Sequence, residues 1–138
     1  MSELASTIVF DLDGTLTHDD DAPYAQKRPN RAMVERLLEY REAGFRIAIQ
    51  TARNMRTFDG QIGRINAVTL PVIIRWLDEN AIPYDEIHVG KPWCGPDGFY
   101  VDDRALRPSE FLAMSTDDIA ELLDAERAAL DNTRERTE

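Results

Sequence analysis

The chain is poor in cysteine, in lysine and in basic charge generally, and each shortage narrows what it can be. A single cysteine, Cys94, excludes an internal disulfide framework and fits a reducing compartment. Sixteen basic residues face 26 acidic ones, a formal net charge of −10. Such a surface repels nucleic-acid backbones and anionic membranes, so broad electrostatic binding to either is excluded, although a local basic pocket is not. Only Lys27 and Lys91 are lysines, so each is expected where an arginine would not serve. No apolar run approaches membrane-spanning length, and Met1 to Ser6 lack the basic segment and long apolar run of a signal peptide. A cytoplasmic location is the expectation. There is no internal repeat and no low-complexity linker, and 138 residues suit one domain, 1–138, with its core at about 7–112 and a last helix at about 115–132.

What is present is organised around Thr7-Ile8-Val9-Phe10-Asp11-Leu12-Asp13-Gly14-Thr15. Thr7 to Phe10 read as a strand buried on both faces of a parallel sheet. Asp11 and Asp13 stand two apart, so extended backbone aims both carboxylates into one crevice before Gly14 turns the chain. The plain alternative is a strand followed by an Asp-Gly turn. Leu16 to Pro29 has no apolar period and reads as a loop or small hairpin, its acids Asp19, Asp20 and Asp21 a solvated turn. Asn30 offers a helix N-cap, with Met33, Val34, Leu37 and Leu38 at helical spacing until Gly44. Phe45 to Gln50 is a second strand, and a strand, a helix and a strand make a crossover that sets the two strands parallel. Thr51 therefore stands near Asp11, where its hydroxyl can donate to an anion.

Asn54 to Ala67 is less regular and reads as a segment bordering the crevice, after which Thr69 and Pro71 suit the first turn of another helix. Leu70, Ile73, Ile74 and Leu77 form its buried stripe, and Trp76 reads as packing. Glu86 to Val89 is a short third strand in which His88 is structural, and Lys91 follows it between Gly90 and Pro92. Phe99-Tyr100-Val101 reads as a fourth strand, ending in Asp102 and Asp103. Two carboxylate pairs at strand ends in one small sheet repel unless a cation joins them, and oxygen ligands of this kind suit magnesium. Arg104 beside the second pair is the structural alternative. Ser115 with Asp118 opens the last helix as a capping box, with Ile119, Leu122, Leu123 and Leu130 apolar, and the tail beyond Asn132 is expected to fray.

In order along the chain, strand ends thus carry Asp11 with Asp13, then Thr51, Lys91, and Asp102 with Asp103. This layout resembles the haloacid dehalogenase superfamily of phosphohydrolases from Thr7 to Asp103. More narrowly, Thr51-Ala52-Arg53-Asn54-Met55, Val89-Gly90-Lys91-Pro92-Trp93-Cys94-Gly95 and Phe99-Tyr100-Val101-Asp102-Asp103-Arg104 are similar to small bacterial phosphatases of capsule and polysaccharide biosynthesis. The resemblance implies an α/β fold, a single Rossmann-like domain with a parallel sheet and helices on both faces. It implies a magnesium-dependent phosphomonoesterase acting on a sugar phosphate or related small phosphoester, and the net charge of −10 points to no nucleic-acid or membrane partner. Asp11 would be the nucleophile and Asp13 the general acid/base. Thr51 and Lys91 would bind the phosphoryl group, and Asp11, the Asp13 backbone carbonyl, Asp102 and Asp103 would hold Mg2+. A carboxylate suits the nucleophile's part because it is already ionised near neutral pH.

Arg53, Arg56 and Trp93 are expected to contact the substrate. Neither Leu16 to Pro29 nor Ala52 to Asn66 is long enough for a folded cap, so a capless enzyme with an open mouth is expected, roofed by a second copy in a homo-oligomer through the last helix and Trp93. The alternatives are a nucleotidase or polynucleotide 3′-phosphatase of the same fold, and a non-catalytic metal- or phosphate-binding module.

Overall fold

Three short parallel strands carry the fold, and their lengths and burial follow from where the apolar residues fall. The computed structural model describes residues 6–137, and the chain divides into two units after Trp93. In the first unit, β1 (Thr7–Asp11), β2 (Arg46–Gln50) and β3 (Glu86–His88) lie in the order β1-β2-β3, all parallel. Asp11 pairs in register with Gln50, and Gln50 with His88, so the three carboxyl ends are level. The sheet is flanked by helices, and no cap domain interrupts the described residues.

In β2, Ile47 and Ile49 point to one face and Ala48 to the other, and all three are buried, so both faces of the central strand are covered. The expectation of a β1 buried on both faces is not met. Phe10 is buried while Val9 is 57% exposed, because β1 lies at an edge of this sheet and only its Phe10 side meets the core.

Helix α1 (Arg31–Glu42) starts where its cap predicts: the Asn30 side chain accepts from the Met33 N–H at 3.2 Å. Met33, Val34, Leu37 and Tyr40 form its buried stripe. It ends in Gly44 at φ +103°, a left-handed turn that glycine adopts without strain. The crossover into β2 is tied down by Asp85, whose carboxylate accepts from the Ile47 N–H at 2.8 Å and pairs with Arg41 at 3.3 Å.

The next helical stretch begins earlier than its sequence suggests, in the segment read as irregular. A short α2 (Ile62–Arg64) passes through a wide turn at Ile65–Thr69 into α3 (Leu70–Glu79). Leu70 N–H reaches back to the Ile65 carbonyl just before Pro71, which has no N–H to give. Ile73, Trp76 and Leu77 are buried on α3.

The second unit contains α4 (Pro108–Ala113) and α5 (Thr116–Thr137). Ser115 and Asp118 do form the capping box, each side chain accepting from the other's N–H, at 3.1 and 3.3 Å. The helix runs on past Asn132 to Thr137, where fraying was expected, with Thr133 Oγ1 donating to the Ala129 carbonyl. The expected fourth strand is absent. Phe99, Tyr100 and Val101 adopt no strand and are 79%, 49% and 89% exposed. A run of three apolar residues becomes a strand only where a neighbour completes its backbone hydrogen bonds. Among the described residues, no helix is long and apolar enough to cross a membrane.

Candidate active site

The level carboxyl ends of the three strands place their following residues side by side. After Asp11 the backbone turns within a few residues: Gly14 takes φ +81°, the Thr17 N–H closes on the Leu12 carbonyl at 3.1 Å, and Thr17 Oγ1 accepts from the Gly14 N–H at 3.2 Å. Leu12 and Leu16 are buried beneath, which leaves Asp11 and Asp13 on the open side. At the end of β2, Thr51 donates its N–H to the His88 carbonyl at 2.9 Å and accepts from the Lys91 N–H at 3.1 Å. Those two bonds stitch the loop after β3 to the loop after β2. Gly90 makes the intervening turn at φ +85°, a conformation that glycine adopts without strain, while a β-carbon there would meet only the movable tip of the exposed Ile62 side chain.

Lys91 Nζ consequently lies 3.7 Å from Asp11 Oδ1, while the Thr15 hydroxyl donates to Asp11 Oδ2 at 3.4 Å. The Asp11 pKa is raised from its ordinary value, chiefly by burial, which penalises the charged carboxylate. Lys91, the Leu12 N–H and the Thr15 hydroxyl pull it down, and the Asp13 charge pushes it up. Thr51 is buried, and its Oγ1 accepts from the Arg53 N–H at 3.0 Å. That bond uses an oxygen lone pair and leaves the hydroxyl proton able to donate.

Arg53 turns onto Asp13. Its side chain is buried, with Nε 3.0 Å from Asp13 Oδ2 and Nη2 2.8 Å from Asp13 Oδ1, a bidentate fork across 40 positions of sequence. The Tyr24 ring stacks on the guanidinium, 4.1 Å from Cζ. Tyr24 sits in a short turn, Tyr24–Gln26, of the loop from Leu16 to Pro29. That loop is a small hairpin, closed by His18 N–H to the Arg28 carbonyl at 2.8 Å and Asn30 N–H to the Leu16 carbonyl at 2.7 Å. It is anchored by the Trp76 indole N–H on the Lys27 carbonyl at 2.8 Å and by Lys27 Nζ on the Asp20 carbonyl at 2.6 Å. Arg56 is exposed, as is Trp93 at 52%. His88 is 55% exposed along its side chain and pairs with Glu86 at 3.3 Å.

Asp102 and Asp103 belong to the second unit, where both are exposed and Asp102 accepts from the Arg104 N–H at 2.8 Å. They line, with Glu110 and Glu126, a shallow recess floored by Leu122 and Leu123. No group of three or more His, Cys, Asp or Glu side chains stands close enough together among the described residues to hold a metal ion.

Two residues of this site escaped the sequence reading of roles, Thr15 and Tyr24, while Lys27, marked there as one of only two lysines, is found bracing the loop through the Asp20 carbonyl. Thr15 could have been found as the hydroxyl directly behind the Asp-x-Asp-Gly turn. Tyr24 had no comparable mark beyond being a lone aromatic in an acidic loop.

Among solved structures, the chain is similar to an MCSG target protein from Vibrio cholerae. The two share 53% identity at a TM-score of 0.86, over 88% of this chain and 98% of that one. Two structures of the Pnkp1/Rnl/Hen1 RNA repair complex align at 20% and 22% identity with TM-scores of 0.43 and 0.46, covering 62% and 79% of this chain and 25% and 34% of theirs. No family model and no curated protein matches the chain.

Proposed function

We propose, from the premise that this chain belongs to the family of the Vibrio cholerae protein it matches at 53% identity, that it is a phosphomonoesterase working through an aspartyl-phosphate. The observation that carries the reading is the grouping of Asp11, Lys91 at 3.7 Å and a proton-bearing Thr51 hydroxyl at level strand ends. A carboxylate, a compact cation and a hydroxyl donor are the parts that phosphoryl transfer asks for. The order of the motifs, which resembles that of the haloacid dehalogenase superfamily, supports the same assignment.

In the first step an Asp11 oxygen bonds to phosphorus as the bond from phosphorus to the leaving oxygen breaks, and Asp13 gives that oxygen its proton. In the second, Asp13 takes a proton from water, whose oxygen bonds to phosphorus as the phosphorus–Asp11 bond breaks. Inorganic phosphate leaves and both carboxyl groups return to their starting states. Lys91 and the Thr51 hydroxyl hold phosphoryl oxygens throughout, drawing off negative charge.

Oxygen donors such as the Asp11 carboxylate suit magnesium. Burial disfavours the ionised carboxylate there, and an added cation would offset that cost. The Asp11 carboxylate and the Asp13 backbone carbonyl would hold it. When bound it would neutralise charge between an anionic ester and an anionic nucleophile. The acidic surface favours a small ester, a sugar phosphate or related metabolite, over a polynucleotide.

A phosphate-release screen over sugar phosphates, nucleotides and simple phosphoesters, run with magnesium, tests the reading. Turnover of a small phosphomonoester is the expected result. No release from any of them by a folded protein would sink it.

A further inference from the structure

We propose that Arg53 is the positioning residue of Asp13, holding its carboxylate in place for proton transfer, with Tyr24 as the brace behind it. The inference rests on the phosphatase reading and adds to it a division of labour that sequence reasoning had drawn differently, as a substrate contact. Four observations carry it. The Arg53 fork takes one lone pair from each Asp13 oxygen, at 2.8 and 3.0 Å, and a carboxylate has about two per oxygen. The Asp13 side chain keeps 35% of its surface, so its remaining lone pairs are open to solvent and ligand, while Arg53 keeps 1%. The Arg53 backbone is itself pinned, its N–H on Thr51 Oγ1 at 3.0 Å. The Tyr24 ring at 4.1 Å closes the guanidinium's flat side, and its loop is in turn held by Trp76.

A general acid works only within hydrogen-bond reach of the oxygen it protonates. Asp13 stands on a turn that begins at the end of β1 and contains Gly14, so backbone alone does not fix its carboxylate; the rigid fork does. Nη1 of Arg53 is buried and has no hydrogen-bond partner, so the rival role is a contact from that atom to a substrate oxygen. The two roles separate kinetically. A phosphate ligand contributes to binding whatever Asp13 is doing, whereas a positioning residue contributes only through Asp13.

The test is a mutant cycle on phosphate release with wild type, Arg53→Ala, Asp13→Asn and the double variant, with Asp11→Asn as the check on the nucleophile. Misplacing a reacting group by about 1 Å costs on the order of 10²-fold, so Arg53→Ala should lower kcat by about that factor and move KM by less than about threefold. In the Asp13→Asn background the same change should cost almost nothing. Should Arg53→Ala fail to fold, Tyr24→Ala, at a site 40% exposed, takes its place, with a smaller kcat loss that also vanishes without Asp13. Losses that multiply across the cycle, or that fall on KM, would overturn the positioning role while leaving the phosphatase standing. A folded wild type with no activity, or an Asp11→Asn variant with full activity, would remove both.

Discussion

The two acidic turns of this protein look alike in sequence and are unlike in structure. Asp11 and Asp13 follow a strand whose backbone is paired in register with β2, and each carboxylate has a cationic neighbour, Lys91 for one and Arg53 for the other. Asp102 and Asp103 follow Phe99-Tyr100-Val101, which is exposed and adopts no strand, and Asp102 closes a local turn with the Arg104 N–H. Apolar residues before a pair of acids therefore do not by themselves make a strand-end site. What makes one is a neighbouring strand to complete the backbone hydrogen bonds and long-range cations to hold the acids apart.

The comparison breaks first at the nucleophile. Asp11→Asn should abolish phosphate release, by the factor of roughly 10⁵ or more that accompanies loss of a covalent nucleophile. Its fold should survive, and without magnesium it should melt no lower than wild type at neutral pH. A raised carboxylate pKa means that, above that pKa, the fold carries a penalty for ionisation, and an amide is free of it. Release assays and thermal melts on the same preparation check both halves, and an active Asp11→Asn contradicts the mechanism.

Stability should divide the two apolar runs next. Ile49, fully buried at the centre of the sheet, should cost about 2–5 kcal/mol on truncation to alanine, and Val101, 89% exposed, within about 0.5 kcal/mol. Denaturant titration of both variants decides this, and equal losses would mean that Val101 is covered in solution.

How far the site could be read from the sequence follows the same line between local and distant causes. Asn30 capping α1, the Ser115–Asp118 box and the parallel crossover are local grammar, and each forms where the residue types place it. The sequence order of Asp11, Thr51 and Lys91 was legible as strand-end residues, and register then brought them together. The partner of Arg53 was not, because a guanidinium 40 positions from a carboxylate leaves no periodic trace. Asp85, which satisfies the Ile47 N–H across 38 positions, was missed for the same reason. The early start at Ile62 was hidden by Gly63, a poor helix residue outvoted by its surroundings, and the missing strand at Phe99 shows the converse, strand propensity that forms no strand.

A smaller effect is expected at the second acidic turn, whose metal role is implied by the resemblance alone. Replacing Asp102 or Asp103 with asparagine should leave turnover at saturating magnesium within about tenfold of wild type but raise the magnesium concentration needed for half-maximal turnover by on the order of 10–100-fold. Chelation should silence all forms. A wild type fully active after metal stripping, or acids whose loss leaves the magnesium titration unmoved, would separate the second turn from the chemistry.

The smallest effect expected is a pH signature away from both turns, at Asp85. Its pKa is lowered from the ordinary value, first by the Ile47 N–H it accepts and then by the charges of Arg41 and Arg46. For a depressed carboxylate the unfolded chain binds its proton more readily than the folded one, so stability rises with pH in the interval between the two pKa values. The contribution is full above the unfolded value of about 3.9 and is lost as pH falls through the lower, folded one. Asp85→Asn should accordingly lower Tm by on the order of a few degrees at pH 7, and the gap to wild type should close as the pH drops below about 3.9. The sign is opposite to that at Asp11, whose raised pKa makes ionisation a cost. Melts of wild type, Asp85→Asn and Asp11→Asn across pH 3 to 7 therefore set the two acids against each other. If the Asp85→Asn gap stays constant through that range, the carboxylate's charge is not what holds β2 to the start of β3.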